Sequence, residues 1–282
     1  VTARRLDCSP AEYLSDPAPE PSLSSSIAKV LCEQSPAHAR LVHPRLGGKP
    51  SESTPATDHG TLIHRLLLGK GATIVSVDAA DYRTKKARET RDEARSQGHV
   101  PVLSVVYSEA LVAAQAIKEA IGRSGVALDG DSEVPLLWQE WAPHGEIYAR
   151  AMLDHVTDRN GRLHIYDVKT CESAHPDACL RSAVRYGYDI QAHAYTRAAE
   201  LAWPDYAGRV TFTFLFCETE PPYAVLPATL DGIMRERGRR RWQYAVETWS
   251  CCLHTDTWPG YATEPVTLYS PDWLLRQEEM QR

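Results

Sequence analysis

Residues 145–169, GEIYARAMLDHVTDRNGRLHIYDVK, read as two β-strands joined by a turn. The first strand ends in Asp154 and the second carries Asp167 and Lys169. Positions two apart on a strand share a face, so Asp167 and Lys169 project together while Val168 points the other way. An acid beside a lysine, with a second acid on the neighbouring strand, is the minimal kit for metal-dependent phosphodiester hydrolysis. The carboxylates hold Mg²⁺, and the lysine orients or helps deprotonate the attacking water. The D-x-K triplet is common by itself, so its meaning depends on the rest of the chain.

With 282 residues, 43% of them hydrophobic, the chain has enough material for a sizeable core. No apolar run approaches the roughly 20 residues of a membrane span, and no signal-peptide pattern opens the sequence. Seven scattered cysteines (Cys8, Cys32, Cys171, Cys179, Cys217, Cys251, Cys252) form neither a C-x-x-C pair nor a zinc spacing. The expectation is reduced thiols in a cytoplasmic protein without a membrane. A net charge of −6 excludes a uniformly basic surface, so a nucleic-acid partner requires locally concentrated positive charge.

Residues 1–23, rich in Pro, Ser and Glu, read as an irregular arm, and 24–282 as a single domain. A short helix is expected over 26–34 and loop over 43–57. DHGTLIHRLLLG (58–69) is helical, opening near Asp58 or Thr61 and closing at Gly69, with His64 in its first turns. Residues 81–97 hold six basic side chains; the acid-free part, with Arg83, Lys85, Lys86 and Arg88, is the better phosphate-contact candidate. A charge run of this kind is otherwise a solvated helix face. Ser108–Ile121 is amphipathic, packing through Leu111, Ala114 and Ile117. From Glu133 the pattern turns to an antiparallel meander, PLLWQEW, EIYARAML and RLHIYDV. Helices follow over 176–185 and 190–202, the second placing Gln191 and Tyr195 on one face. Two strands (VTFTFLFC, PYAVLPA), a long helix from about Leu230 to Cys252 with an arginine cluster over 235–241, and an irregular tail complete the chain.

The order of the signals is more specific than any one of them: Gly60-x-x-x-His64, Glu133, Asp154, Asp167-x-Lys169 and Gln191-x-x-x-Tyr195. This succession resembles the PD-(D/E)xK nuclease superfamily, in the branch that groups RecB-type nuclease domains with phage recombination exonucleases. It is most similar to the exonuclease VIII (RecE) family, through DHGTLIHRLLLG, SEVPLLWQEW, LDHV, IYDVKT, RYGYDIQAHAY and the closing LHTDTWPGY and PDW. The resemblance covers the chain from about residue 22 onward. It implies an α/β (α+β) fold, a central mixed β-sheet flanked by helices with a restriction-endonuclease-like core. It also implies an Mg²⁺-dependent exonuclease, with Mn²⁺ able to substitute, that digests double-stranded DNA ends 5′ to 3′ and leaves 3′ tails for recombination. A ring-shaped homo-oligomer and a single-strand annealing protein as partner come with it.

Carried onto this sequence, Asp154, Asp167 and the Val168 carbonyl would bind metal and Lys169 would be the catalytic lysine. His64 would be a further ligand or phosphate contact, and Glu133 a second-metal or water-positioning group. Gln191 and Tyr195 would approach the DNA backbone. The chain departs from the family pattern with Asp in place of Glu in the lysine triplet and LDH in place of PD; neither change removes a carboxylate. No clustered cysteine set is present, so no Fe–S cluster is expected. An endonuclease or single-strand-specific enzyme of the same fold would carry the same residues. An inactive DNA-binding or assembly subunit is disfavoured by the intact Asp154, Asp167 and Lys169.

Geometry adds a demand. A symmetric hairpin about Arg159 pairs Asp154 with residue 164 and leaves the two acids roughly 10 Å apart at about 3.3 Å per residue. A shared ion then requires the 155–162 connection to be asymmetric, bulged or splayed near Asp154, and a regular two-residue hairpin would count against it. Lys169, partly buried beside metal, is expected to have a lowered pKa.

Overall fold

Asn160 and Gly161, with φ of 53° and 69°, form a two-residue turn between strands Ile147–Arg159 and Arg162–Cys171. Asn-Gly suits a turn that needs left-handed backbone at both central positions. Pairing is regular from Arg159↔Arg162 to His155↔Tyr166, so the expected asymmetry of the connection is not found. The hairpin is centred between Asn160 and Gly161 rather than on Arg159, and this shift brings Asp154 opposite Asp167. The calculated separation of the acids disappears, and a regular hairpin does not count against their meeting. The expected splay is present: pairing ends at His155↔Tyr166, and the Val168 N–H donates to Asp154 Oδ2 at 2.9 Å.

The computed structural model describes residues 2–48 and 53–280. Its elements begin β1 (Arg4–Arg5), α1 (Pro10–Leu14), α2 (Ser25–Glu33), α3 (Pro36–Val42), α4 (Pro55–Leu68), β2 (Ile74–Val77), α5 (Lys85–Ser96), β3 (Val100–Leu103) and α6 (Ser104–Arg123). They continue β4 (Asp131–Glu140), β5 (Ile147–Arg159), β6 (Arg162–Cys171), α7 (Pro176–Tyr186), α8 (Tyr188–Ala202), β7 (Val210–Glu218), β8 (Val225–Ala228), α9 (Gly232–Thr255) and α10 (Asp272–Met280). Six strands form one mixed sheet in the order β1-β4-β5-β6-β7-β8, in which only β6 and β7 are parallel; β2 and β3 form a separate parallel pair. The parallel pair needs a crossover, and α7 and α8 provide it. The fold is thus the expected α/β class, a mixed central sheet between helices. No helix among the described residues is long and apolar enough to cross a membrane.

One core, containing Trp138, Leu153, Ile165, Ile190 and Trp249, lies between the sheet and α2, α8 and α9. A second, with Leu62, Ile63, Ile117, Tyr166 and Leu215, lies under α4 and α6. Several local expectations change. Residues 1–23 are not an irregular arm: β1 pairs with β4, α1 has a Ser9–Glu12 capping box, and Leu23 forms a parallel bridge to Ala149 inside the core. Within the expected loop at 43–57, α4 already begins at Pro55 under a Thr54 cap, and 49–52 lie outside the described residues. On α6, Ala114 and Ile117 are buried but Leu111 is exposed, since the buried stripe runs through Ala110, Ala113, Ala114, Ile117 and Ile121 and leaves Leu111 to one side. The tail carries α10.

The arginines of α9 divide by direction. Arg237 and Arg241 each place a guanidinium nitrogen 3.0 Å from the fully buried Asp189 carboxylate on α8, and Arg241 also reaches Glu33 of α2 at 2.7 Å. Arg239 and Arg240 pair with Glu236 on their own helix. Between the inward pair, Gly238 meets the α8 backbone: a Cβ there would lie 2.1 Å from the Asp189 carbonyl oxygen. Gly238→Ala is therefore expected to lower the unfolding free energy by about 1–3 kcal/mol, read as an earlier urea midpoint. An unchanged midpoint would show that α8 and α9 do not approach this closely.

Candidate active site

His64, Glu133 and Asp154 come from three elements and meet at one point. α4 is fixed at one end by Pro55 behind the Thr54 cap and at the other by the left-handed Gly69. One turn before His64, Gly60 lets the helix approach β6: a Cβ there would sit 3.2 Å from Thr170 Oγ1. The His64 ring then lies between two acids, with Nδ1 3.2 Å from Glu133 Oε1 and Nε2 3.0 Å from Asp154 Oδ2. One ligand atom from each residue falls within 4.8 Å of the others. Glu133, opposite Asp154 in the β4–β5 register, has φ of 53°, a conformation uncommon for a side chain of its size.

Asp167 stands beside this set and not within it. Its carboxylate is fully buried. Gln191 Nε2 donates to Oδ2 at 2.7 Å, and the Lys169 ammonium rests against Oδ1. That Oδ1 is buried, with the Lys169 ammonium as its partner. Lys169 Nζ is also 4.8 Å from the centroid of the Tyr188 ring, which packs on Phe214.

Titration follows from crowding. Burial, then the Asp154 charge, push the Asp167 carboxyl up to about 7. Burial likewise raises Glu133. Burial works against ionised Asp154, but the His64 charge and hydrogen bond prevail and hold it below the ordinary carboxylate range. Burial opposes a charged His64, yet Asp154 and Glu133 raise it to about 9. The expected lowering of Lys169 is not found: burial pulls it down, and Asp167 and Asp154 more than offset that, so it is raised.

Three carboxylates thus face two cationic side chains, and one of the three, Asp167, is pushed up to about 7 by burial and by Asp154. A divalent cation relieves both conditions, and one imidazole with carboxylate oxygens is a suitable donor set. The residues present fit such an ion, with His64, Glu133 and Asp154 as its nearest holders.

Of the other expected site residues, Val168 lines the cleft with His64 and Lys169. Gln191 reaches Asp167 as described. Tyr195 is only 9% exposed and packs edge-on against Phe212, which makes its ring chiefly a core group; burial raises its pKa well above the ordinary phenol value. Its remaining surface lines a cavity of about 510 Å³ with Gln191 and Arg150. Arg83, Lys85, Lys86 and Arg88 lie at the exposed start of α5, where Arg83 pairs with Asp81 and Lys85 with Glu89; none of them lines the cleft. Tyr188 was missed. Tyr186-Gly187-Tyr188 reads as a turn, and the available signal was two aromatics flanking the glycine just before Gln191-x-x-x-Tyr195.

Residues 24–267 match the profile of a family described as PDDEXK-like domain of unknown function (DUF3799). Among solved structures, a Eubacterium rectale protein named "Putative exonuclease" is similar, with 11% identity over 96% of this chain and 98% of that chain and a TM-score of 0.60. At that identity the likeness is one of fold. The structure of SSO0001, 13% identical over 64% of this chain and 82% of that chain, has a TM-score of 0.30 and carries no argument. No curated protein matches the chain.

If the cluster is a metal site, Mn²⁺ titrated into the protein should bind, as followed calorimetrically. His64→Ala or Asp154→Ala should weaken binding by more than about tenfold, the loss that even an outer-shell contact produces. Equal affinity in Asp154→Ala would remove this assignment.

Proposed function

The chain belongs to the family of PDDEXK-like domains whose profile it matches, and we propose that it is an Mg²⁺-dependent exonuclease of linear double-stranded DNA. In this reading it works 5′ to 3′ and leaves 3′ single-stranded tails for recombination by strand annealing. The observation that carries the nuclease reading is the convergence of His64, Glu133 and Asp154 beside the Asp167–Lys169 pair at an open cleft. The polarity, the ring-shaped homo-oligomer and the annealing-protein partner rest on the resemblance to exonuclease VIII.

His64, Glu133 and Asp154 would hold Mg²⁺ or Mn²⁺, with Asp167 and the Val168 carbonyl as further candidate ligands. When bound, the ion supplies a water acidic enough to attack near neutral pH and a counter-charge for the leaving oxygen. Lys169 presents its ammonium to the scissile phosphate, kept in place by Asp167 and by the Tyr188 ring. Gln191 fixes the rotation of the Asp167 carboxylate, so Oδ1 stays turned toward Lys169. The cleft, about 370 Å³ around His64, Lys169 and Tyr188, adjoins a second cavity of about 600 Å³ through Gly60 and Thr170, and the two together are assigned to the strand being cleaved. The cationic start of α5 is assigned an outer contact with the duplex backbone.

End-labelled linear duplex incubated with Mg²⁺ should lose its 5′ label first, and Asp167→Ala or Lys169→Ala should slow hydrolysis at least about a hundredfold. Earlier loss of 3′ label would reverse the polarity, and cutting of closed circles would make the protein an endonuclease. No hydrolysis with Mg²⁺ or Mn²⁺ on any DNA would end the enzyme reading.

A further inference from the structure

Tyr186 ends α7 and remains 50% exposed on the cavity that adjoins the cleft. Behind it, aromatic rings step inward to the core. Tyr186 lies 5.8 Å from Tyr188 at an interplanar angle of 30°, Tyr188 lies 5.2 Å from Phe214 at 25°, and Phe214 is fully buried. Each ring is braced by the one behind it, so the outermost keeps its orientation although half of it faces water. The same stack touches the chemistry, since Tyr188 carries the Lys169 ammonium over its face.

Position is the second observation. Tyr186 borders two cavities. One is shared with Gly60, Thr170 and Tyr188 and adjoins the cleft of His64 and Lys169; the other contains Arg150 and Gln191. A strand continuing from the cleft into either of these cavities meets Tyr186 on their lining. Its surroundings suit a nucleotide, with the Arg185 guanidinium 5.6 Å from the Tyr186 centroid. A flat ring takes the base, and an arginine beside it meets the attached phosphate.

We propose that Tyr186 is the platform on which a nucleobase of the cleaved strand stacks next to the phosphate at Lys169. The proposal rests on the nuclease reading above. Stacking on a π-face is tolerant of sequence, as an enzyme advancing along arbitrary DNA requires. Tyr186 is then a substrate-contacting residue, and Tyr188 is the positioning residue that links the stacked base to Lys169.

The test pairs Tyr186 variants of the full chain with linear duplexes carrying one abasic site at successive positions from the degraded end. In the wild type, an abasic site at one position should raise KM by about tenfold or more, the effect of a lost base–aromatic stack. Tyr186→Ala should raise KM by a similar factor on intact DNA, with unchanged melting temperature, and should be indifferent to the same abasic site. Tyr186→Phe and Tyr186→Trp should behave as the wild type. A KM unchanged in Tyr186→Ala, or an abasic penalty equal in Tyr186→Ala and wild type, overturns the platform while leaving the nuclease reading intact. If the wild type hydrolyses no DNA, that reading fails by itself, and the same comparison made by equilibrium binding then decides on Tyr186 alone.

Discussion

β5 and β6 part company at Asp154 and Asp167, and the arrangement of the site depends on that parting. Paired strands use up their backbone groups, and separated ones must find other partners for them. Here the Val168 N–H takes the Asp154 carboxylate. On the exposed flank of β5, Leu23 enters as a substitute: its N–H donates to the Tyr148 carbonyl, and its own carbonyl accepts from the Arg150 N–H. The N-terminal segment is therefore a structural necessity of the splay. It is held there by Asp16, which accepts from the Ser22 N–H and hydroxyl and lies 3.0 Å from Arg150. A carboxylate at the point of separation gains a main-chain donor and still has oxygen to offer the cleft.

The buried acids differ in how fully their charge is balanced. Asp16 is met by Ser22, His43 and Arg150. Asp189 is met by two arginines. Glu140 accepts from the Trp138 and Trp242 indoles and from Arg197. In each, the charge removed from water is balanced by donors of good geometry, the condition under which burial is tolerated. Asp167 differs: as deeply buried, it is pushed up to about 7 by burial and by Asp154, although Gln191 donates to one oxygen and the Lys169 ammonium meets the other. These partners do not offset the Asp154 charge beside it, and a cation from outside the chain would.

Much of this was legible in the sequence because the chemistry lies at ordered positions on regular elements. The alternation of Ile147, Ala149, Ala151 and Leu153 placed β5 correctly, and all four enter the main core. Helical spacing placed His64 and Gln191 on their helices, and the resemblance supplied their place at the site. The register error came from centring the turn on Arg159 when Asn160-Gly161 was the stronger signal, since only that pair takes left-handed backbone readily at both positions. β2 and β3 are four residues each and carry no alternation long enough to register. Arg237 and Arg241 cannot be told from Arg239 and Arg240 by composition. Which of them points inward is decided by the close approach at Gly238, a tertiary contact. The raised pKa of Lys169 was equally out of reach, because it depends on how near two carboxylates lie.

α8 joins the two halves of the argument. Its N-terminal turn is clamped to α9 by Asp189 and by the missing side chain of Gly238, and two residues beyond Asp189 it presents Gln191 to Asp167. Gly187, left-handed at φ 68°, both ends α7 and starts α8, so the aromatic pair around it is held by the same clamp. The rotation of Asp167, the ring under Lys169 and the exposed face of Tyr186 are consequently set by a single rigid joint outside the cleft. Such groups act on a phosphate only when held close to a productive geometry. The buried ion pairs on α8 and α9 therefore matter to the chemistry through position, without touching the substrate.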